Sequence, residues 1–318
     1  MSHMLLSGAN GFVGHALGRV LLDAGYTVTG LVRQQGGCAD GVQEWVHRDK
    51  DFDELADAWP QQLRADCVVH LAARVHIMND KSADPDAAFQ ATNVDGTLRM
   101  AAAAHQHGAR RFVFVSSIKA LAESDRGQPL RESDPPHPED AYGRSKLAAE
   151  LALRRFGQQT GMEIVVVRPP LVYGPQVRAN FLRLLEAVWR GTPLPVGAVD
   201  ARRSMVYVGN LADALAQCAT DARAVGQCFH VADATDPTVA DVVRVLARHM
   251  NRPARLLPVP PALLRLLGTL TGRTAQIARL TGSMRIDTSH IRETLDWRPP
   301  VSSENGLAIT ADWYRSTH

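Results

Sequence analysis

The chain has few cysteines, almost no charge imbalance and no long apolar run, and each shortage removes a class of protein. Cys38, Cys67, Cys218 and Cys228 are the only cysteines in 318 residues. They are too few and too far apart for a disulfide framework or a close-paired metal site, which leaves free thiols in a reducing compartment. Lys and Arg number 35 against 33 Asp and Glu, a net charge of +2, so the overall electrostatics make no case for nucleic acid. No stretch reaches the ~18 apolar residues that suggest a membrane span. No leader precedes the first apolar strand, which points to the cytoplasm, and Ser2 and His3 fall outside the fold argument. The histidines are scattered: neither His70, on an apolar strand, nor His105 with His107 forms a metal site.

What the chain does have begins at Gly8-Ala9-Asn10-Gly11-Phe12-Val13-Gly14, preceded by the apolar Met4-Leu5-Leu6. Val13, Leu17, Val20 and Leu21 then recur at helical spacing, so this loop joins a strand to a helix, the setting a dinucleotide fingerprint requires. Gly8 permits the tight turn, Gly11 lets backbone N–H groups approach a pyrophosphate, and Gly14 lets helix pack closely on sheet.

Further on, Tyr142 and Lys146 stand four residues apart, on one face of a helix. An ammonium beside a phenol favours the phenolate, so proton exchange with a substrate hydroxyl is expected close to neutral pH. The run Arg111-Phe112-Val113-Phe114-Val115 reads as a buried strand that delivers Ser116 and Ser117 to the ligand edge of an open sheet. Turn capping is the ordinary role of such serines; the spacing to Tyr142 favours chemistry here.

Strands and helices alternate in the manner of a Rossmann-type α/β fold, a doubly wound parallel sheet with a smaller C-terminal substrate-binding cap. Strands are expected at Met4–Leu6, Tyr26–Val32, Asp66–Leu71, Phe112–Val115, Ile164–Arg168 and Met205–Val208. Long helices are expected over Asp86–His107 and Tyr142–Gln159, closed by Gly108 and Gly161. Residues 1–172 form the dinucleotide-binding domain, joined by later segments, and residues 173–318 mainly the cap. Leu71, Ala72 and Ala73 follow a strand with small side chains against which a cofactor can lie. Pro169 to Pro175, including Val172, breaks regular pairing and suits a loop beneath the nicotinamide.

With these motifs the chain resembles the extended short-chain dehydrogenase/reductase family, which holds UDP-galactose 4-epimerases, nucleotide-sugar dehydratases and 4-ketosugar reductases. The resemblance runs from Met4 to about Tyr314. It implies that Ser117, 25 residues before Tyr142, bonds the reacting sugar oxygen, that Tyr142 is its acid or base, and that Lys146 holds the nicotinamide ribose and tunes Tyr142. It also implies cofactor contacts from Asn10, Phe12, Val13, Asn93 and Ser116, with Asp49 at the adenine amino group or simply solvated. Asn180 either caps a helix or also meets a sugar-nucleotide diphosphate. Arg203 matches a diphosphate-binding position, and Arg279 is a second clamp for which Arg273 and Arg285 compete. The two long Ala-rich helices form a dimer interface in relatives; burial within the monomer is the alternative.

Finer likeness is to a bacterial branch of surface-polysaccharide synthesis, carried by Ser116-Ser117-Ile118-Lys119, Arg202-Arg203-Ser204-Met205-Val206, Leu257-Pro258-Val259-Pro260 and Leu295-Asp296-Trp297-Arg298-Pro299-Pro300. Leu31-Val32-Arg33-Gln34 ends the second strand without the acid usual in NAD enzymes of this fold, so Arg33 either meets the 2′-phosphate of NADP(H), the favoured reading, or merely stacks on adenine or faces water. The leading expectation is therefore an NAD(P)-dependent 4-ketosugar reductase acting on UDP-4-keto-6-deoxy-N-acetylglucosamine. The alternatives are a UDP-glucose or UDP-N-acetylglucosamine 4-epimerase and, more distantly, a non-catalytic dinucleotide sensor. The Leu263–Leu270 cluster beside Arg255 and Arg265 packs onto the cap or a partner, or else lies on a membrane surface.

Overall fold

Uninterrupted runs of branched and aromatic residues build strands that are buried on both faces, as a parallel sheet covered on both sides requires. The computed structural model describes residues 2–49, 51–75, 84–272 and 274–318. In chain order the first half holds β1 (His3–Ser7), α1 (Phe12–Asp23), β2 (Thr27–Val32), β3 (Gln43–Val46), β4 (Cys67–His70), α2 (Pro85–Phe89), α3 (Gly96–Gln106), β5 (Arg111–Val115) and α4 (Ala141–Thr160). The second half holds β6 (Glu163–Arg168), β7 (Leu171–Tyr173), α5 (Ala179–Trp189), β8 (Met205–Tyr207), α6 (Val208–Thr220) and β9 (Cys228–His230). It ends with α7 (Val239–His249), α8 (Pro261–Leu270), α9 (Thr274–Thr281), α10 (Ser289–Leu295) and α11 (Ser303–Thr317).

Seven strands pair in parallel in the order β3-β2-β1-β4-β5-β6-β9. The order reverses between β1 and β4, with Ser7 opposite His70, and the crevice outside the strand ends at such a reversal is where ligands bind. Leu17 and Leu21 of α1 join Leu211 and Leu215 of α6 over one face of the sheet. Met100 and Ala104 of α3 and Ala149 and Leu153 of α4 cover the other face, against Phe112 and Phe114. The cap has its own core of Phe181, Leu185, Val242, Leu246, Leu307 and Tyr314.

Several expectations change in detail. His3 lies inside β1, its N–H bonded to Asp66 at 2.7 Å, and is thus part of the fold. The expected helix Asp86–His107 is broken: α2 and α3 are joined by a π-helical turn over Gln90–Asp95. That wider turn swings Asn93 inward to 1% exposure, where a straight α-helix would place it differently. Pro169–Pro175 is not all loop, because Leu171–Tyr173 pairs with Met205–Tyr207 as a small second sheet. Residues 228–230 form the unforeseen edge strand β9, and α6 covers the main sheet, so the chain beyond residue 172 is shared between both lobes. The helix α4 starts where Asp140 accepts the Gly143 N–H at 2.7 Å and stops at Gly161, whose φ of 79° only glycine adopts readily.

Candidate active site

The cofactor end is shaped by two glycines. Gly8 has φ 71°, and a Cβ there would lie 3.1 Å from the Ala72 nitrogen; a Cβ on Gly14 would lie 2.3 Å from the Gly8 carbonyl oxygen. The first intrahelical bond of α1 is His15 N–H to Gly11 C=O at 2.9 Å, which leaves the N–H groups of Phe12, Val13 and Gly14 without helical acceptors at the positive end of the helix. The Gly11 N–H itself is spent on the Gly8 carbonyl. Asn10 and Arg33 are exposed. Glu44 of β3 is held by the Gly36 and Cys38 amides. Asp49 is exposed and accepts the Asp51 and Asp53 N–H groups, so its carboxylate shapes its own turn.

At the other end the reacting groups meet. Ser117 caps a short turn through Lys119 N–H, and its hydroxyl is near enough to the Tyr142 phenol to favour the phenolate. The Lys146 ammonium donates to the Val115 carbonyl at 2.8 Å and lies 4.6 Å from the Phe114 ring centre and 6.0 Å from that of Tyr142. The expected easing of the phenol toward neutrality is absent in this state. Burial pushes Tyr142 up to about 12, opposed by the nearby Ser117 hydroxyl and reinforced by the Asp140 charge. Lys146 is itself pressed down to about 7 by burial, partly offset by Glu150. Desolvation outweighs pairing because the ammonium is turned to a backbone carbonyl, so the site without ligands holds a neutral phenol.

A buried hydrogen-bonded chain, not foreseen from the sequence, ties the two ends together. Ser7 Oγ accepts from the Leu71 and Ala72 N–H groups at 3.1 and 3.2 Å and meets His70 Nδ1 at 2.8 Å. With Ser7 donating to Nδ1, His70 Nε2–H donates to Thr97 Oγ1, 3.2 Å away, and the Thr97 hydroxyl donates to the Asn93 carbonyl at 2.7 Å. Asn93 donates from Nδ2 to the Arg74 carbonyl and Ser145 Oγ and accepts the Arg74 N–H; Ser145 donates to the Tyr142 carbonyl. Both Nδ2 protons of Asn93 and its Oδ1 are thereby engaged, which fixes the backbone after Ala73. The one sequence signal for this chain is a polar residue at the last position of each of two apolar strands, Ser7 and His70.

His70 carries a testable consequence. Burial, with the positive charge of Lys146, lowers it to about 3, and burial with Arg168 lowers His230 to about 3. Between about 3 and 6.5 the unfolded chain binds protons that the native protein refuses, so stability falls as the pH drops below 6.5. Urea midpoints should decline from about pH 7 to about pH 5 with uptake of about two protons on unfolding, and His70→Gln should remove about half of that slope. A midpoint indifferent to pH across this range would refute the assignment.

Charged pairs frame the site. Ser116, 3% exposed, spends its hydroxyl on Glu150, which also takes Arg168 in a two-pronged contact. Its side chain therefore supports α4 against β6. Lys119 bridges Glu123 and Asp140, and Glu123 also pairs with Arg279 at 3.3 Å. Arg279 is thus tethered next to the turn that carries Ser117. Arg285 is committed to Asp125 at 2.6 Å, and Arg273 lies outside the described residues. Arg203 donates to the Gly282 carbonyl at 2.9 Å, and no carboxylate pairs with it among the described residues; burial lowers its pKa. Asn180 is exposed in the first turn of α5, two residues too late to be its cap, because the helix opens at Ala179 after its cap Arg178. Pro169 accepts the Ile118 N–H at 3.0 Å, which brings the β6–β7 link, with half-buried Val172 in β7, beside the Ser117 turn. Among the described residues no group of three His, Cys, Asp or Glu could hold a metal ion.

Whether a dinucleotide fits is decided at Gly14, where even a methyl group would push the helix off the loop and close the cradle that the free N–H groups face. An enzyme that moves hydride with the help of a bound nicotinamide is the class that this cradle and the phenol-lysine pair define. The sequence model of the NAD dependent epimerase/dehydratase family matches residues 4–232. UDP-glucose 4-epimerase of Vibrio cholerae is 39% identical over 97% of this chain and 94% of its own length. N-acetyl-alpha-D-glucosaminyl-diphospho-ditrans,octacis-undecaprenol 4-epimerase of Escherichia coli O157:H7 is 28% identical over 88% of this chain and 81% of its own. The crystal structure of the Thermotoga maritima UDP-glucose 4-epimerase with UDP-glucose overlays with a TM-score of 0.80 at 23% identity, covering 99% of both chains, a likeness of fold. The chain belongs to the NAD dependent epimerase/dehydratase family.

Proposed function

We propose that the protein catalyses 4-epimerisation of a UDP-hexose, in the supply of precursors for surface polysaccharide. The observation that carries the C4 hydride chemistry is the gathering of Ser117, Tyr142 and Lys146 at the ligand edge of the sheet, with the Lys146 ammonium 6.0 Å from the Tyr142 ring centre; the Vibrio cholerae relative supports epimerisation as its outcome. Bound nicotinamide supplies the acceptance and return of hydride. Gly8, Gly11 and the α1 N-terminus seat the dinucleotide phosphates, while Leu71, Ala72 and Ala73 flank it. Ser117 orients the sugar oxygen, and Tyr142 exchanges the proton at that oxygen while Lys146 steadies the ribose and the phenolate. Arg203 and Arg279, with Asn180, face the diphosphate. A homodimer through α3 and α4, where Leu151 is exposed, is part of the proposal.

A second reading, net reduction of a UDP-4-keto-6-deoxy-N-acetylglucosamine by NADPH, is favoured by Arg33 standing exposed after β2 with no acid following in the sequence until Asp40. Arg33→Ala should then weaken NADPH by about tenfold or more and leave NADH nearly unchanged, since only NADPH loses a charge-assisted contact. Protein isolated with tightly held NAD and no measurable NADPH binding would eliminate this reading. The function itself is tested by giving the protein UDP-glucose, UDP-N-acetylglucosamine, their galacto epimers and the 4-keto-6-deoxy derivative with NADPH or NADH, with products identified by NMR. Interconversion supports epimerisation and net reduction supports the reductase. No turnover of any of them by cofactor-binding protein overturns both.

A further inference from the structure

Apolar exposure is concentrated in one place. Of the eleven large hydrophobic side chains exposed among the described residues, Leu257, Leu263, Leu266, Leu267 and Leu270 fall within fourteen consecutive positions, while the other six are dispersed. The spacing of the last four puts them in one stripe along α8. The inner side of that helix is already fixed: Leu264 is buried with Val196, Val199 and Ala201, and Gly268 is buried too. The stripe, 47–74% exposed, therefore faces outward from an anchored helix. Ten residues of helix, about 15 Å, suit lying in an interface. No described helix is long and apolar enough to cross a membrane.

Charge identifies what the stripe meets. From Asn251 to Ile286 the sequence holds six arginines and no Asp or Glu, leaving 29 basic against 33 acidic residues elsewhere. Arg279 and Arg285 are neutralised by Glu123 and Asp125, and Arg252 lies 4.3 Å over the Trp189 ring. Arg255 and Arg265 are exposed, with no carboxylate partner among the described residues. We propose that α8 and the Leu257 loop dock the protein on an anionic lipid bilayer. The leucines enter the boundary between headgroups and acyl chains, and Arg255 and Arg265 meet lipid phosphates. A second copy is a poor occupant, because a symmetric contact would set this acid-free segment against itself. The proposal stands on the surface alone and is indifferent to which sugar is processed.

The test is co-sedimentation of the full chain with vesicles of phosphatidylcholine alone or with about one third phosphatidylglycerol. Binding should be about tenfold or more stronger to the anionic vesicles and weaken as salt rises. The exposed pairs Leu266→Asn/Leu270→Asn and Arg255→Glu/Arg265→Glu should each lose about tenfold or more of that binding, with melting temperature and dinucleotide affinity unchanged. Equal partition to neutral vesicles, or wild-type binding by both variants, overturns the proposal. So does a lipid-free dimer in sedimentation velocity that Leu266→Asn/Leu270→Asn abolishes, which would give the stripe to a second copy, or an acidic protein that binds this face while vesicles do not.

Discussion

Tyr142→Phe should lower turnover by about 10²-fold or more while the protein stays folded and binds dinucleotide as before. The substitution removes one oxygen from a ring whose packing survives: Phe89 remains edge-on at 6.2 Å and the Lys146 ammonium at 6.0 Å. Only the phenol oxygen, and with it the proton carrier, is lost. The loss should fall on kcat, since the phenol acts on the sugar oxygen and contributes little to holding the diphosphate. Turnover near that of the wild type would take Tyr142 out of the mechanism.

Arg203→Ala is expected to weaken UDP binding by about 1.5–3 kcal/mol, roughly 10- to 150-fold, with dinucleotide affinity almost unchanged. The guanidinium is half-buried, is held in place by one carbonyl at 2.9 Å and lacks a carboxylate among the described residues. A cation in that position gains more from an incoming dianion than an ion already paired, as Arg285 is with Asp125. Calorimetry with UDP and with NADH separates the outcomes. Equal losses for both ligands would indicate a damaged fold and no diphosphate clamp.

Much of the fold is legible in the sequence because its signals are local. Continuous apolar runs give β1, β2 and β4 to β6 within a residue or two, and Gly8 and Gly14 specify a strand-loop-helix whose geometry the missing Cβ atoms explain. The short β9 is not legible, since three residues carry too little periodicity and are placed by pairing with β6. The π-helical turn also escapes detection: nothing at Gln90–Asp95 forbids an α-helix, and it is the contacts of Asn93 with Arg74 and Ser145 that hold it. At the site, Ser117, Tyr142 and Lys146 come together as their spacing implies. Their protonation could not be read, because it depends on burial, which motifs do not encode. The partners of Ser116 and Asn93 escape detection for the same reason: their hydroxyl and amide meet Glu150, Arg74 and Ser145, residues distant in sequence.

Hydride transfer at C4 is tested most directly by running the reaction in deuterium oxide with UDP-glucose or UDP-N-acetylglucosamine and following the C4 signal by NMR. Interconversion is expected with the original hydrogen retained at C4, because hydride leaves and returns without meeting solvent while only the oxygen-bound proton, handled by Tyr142, exchanges. Solvent deuterium appearing at C4 of the product, or product forming at the same rate with Tyr142→Phe, would contradict it.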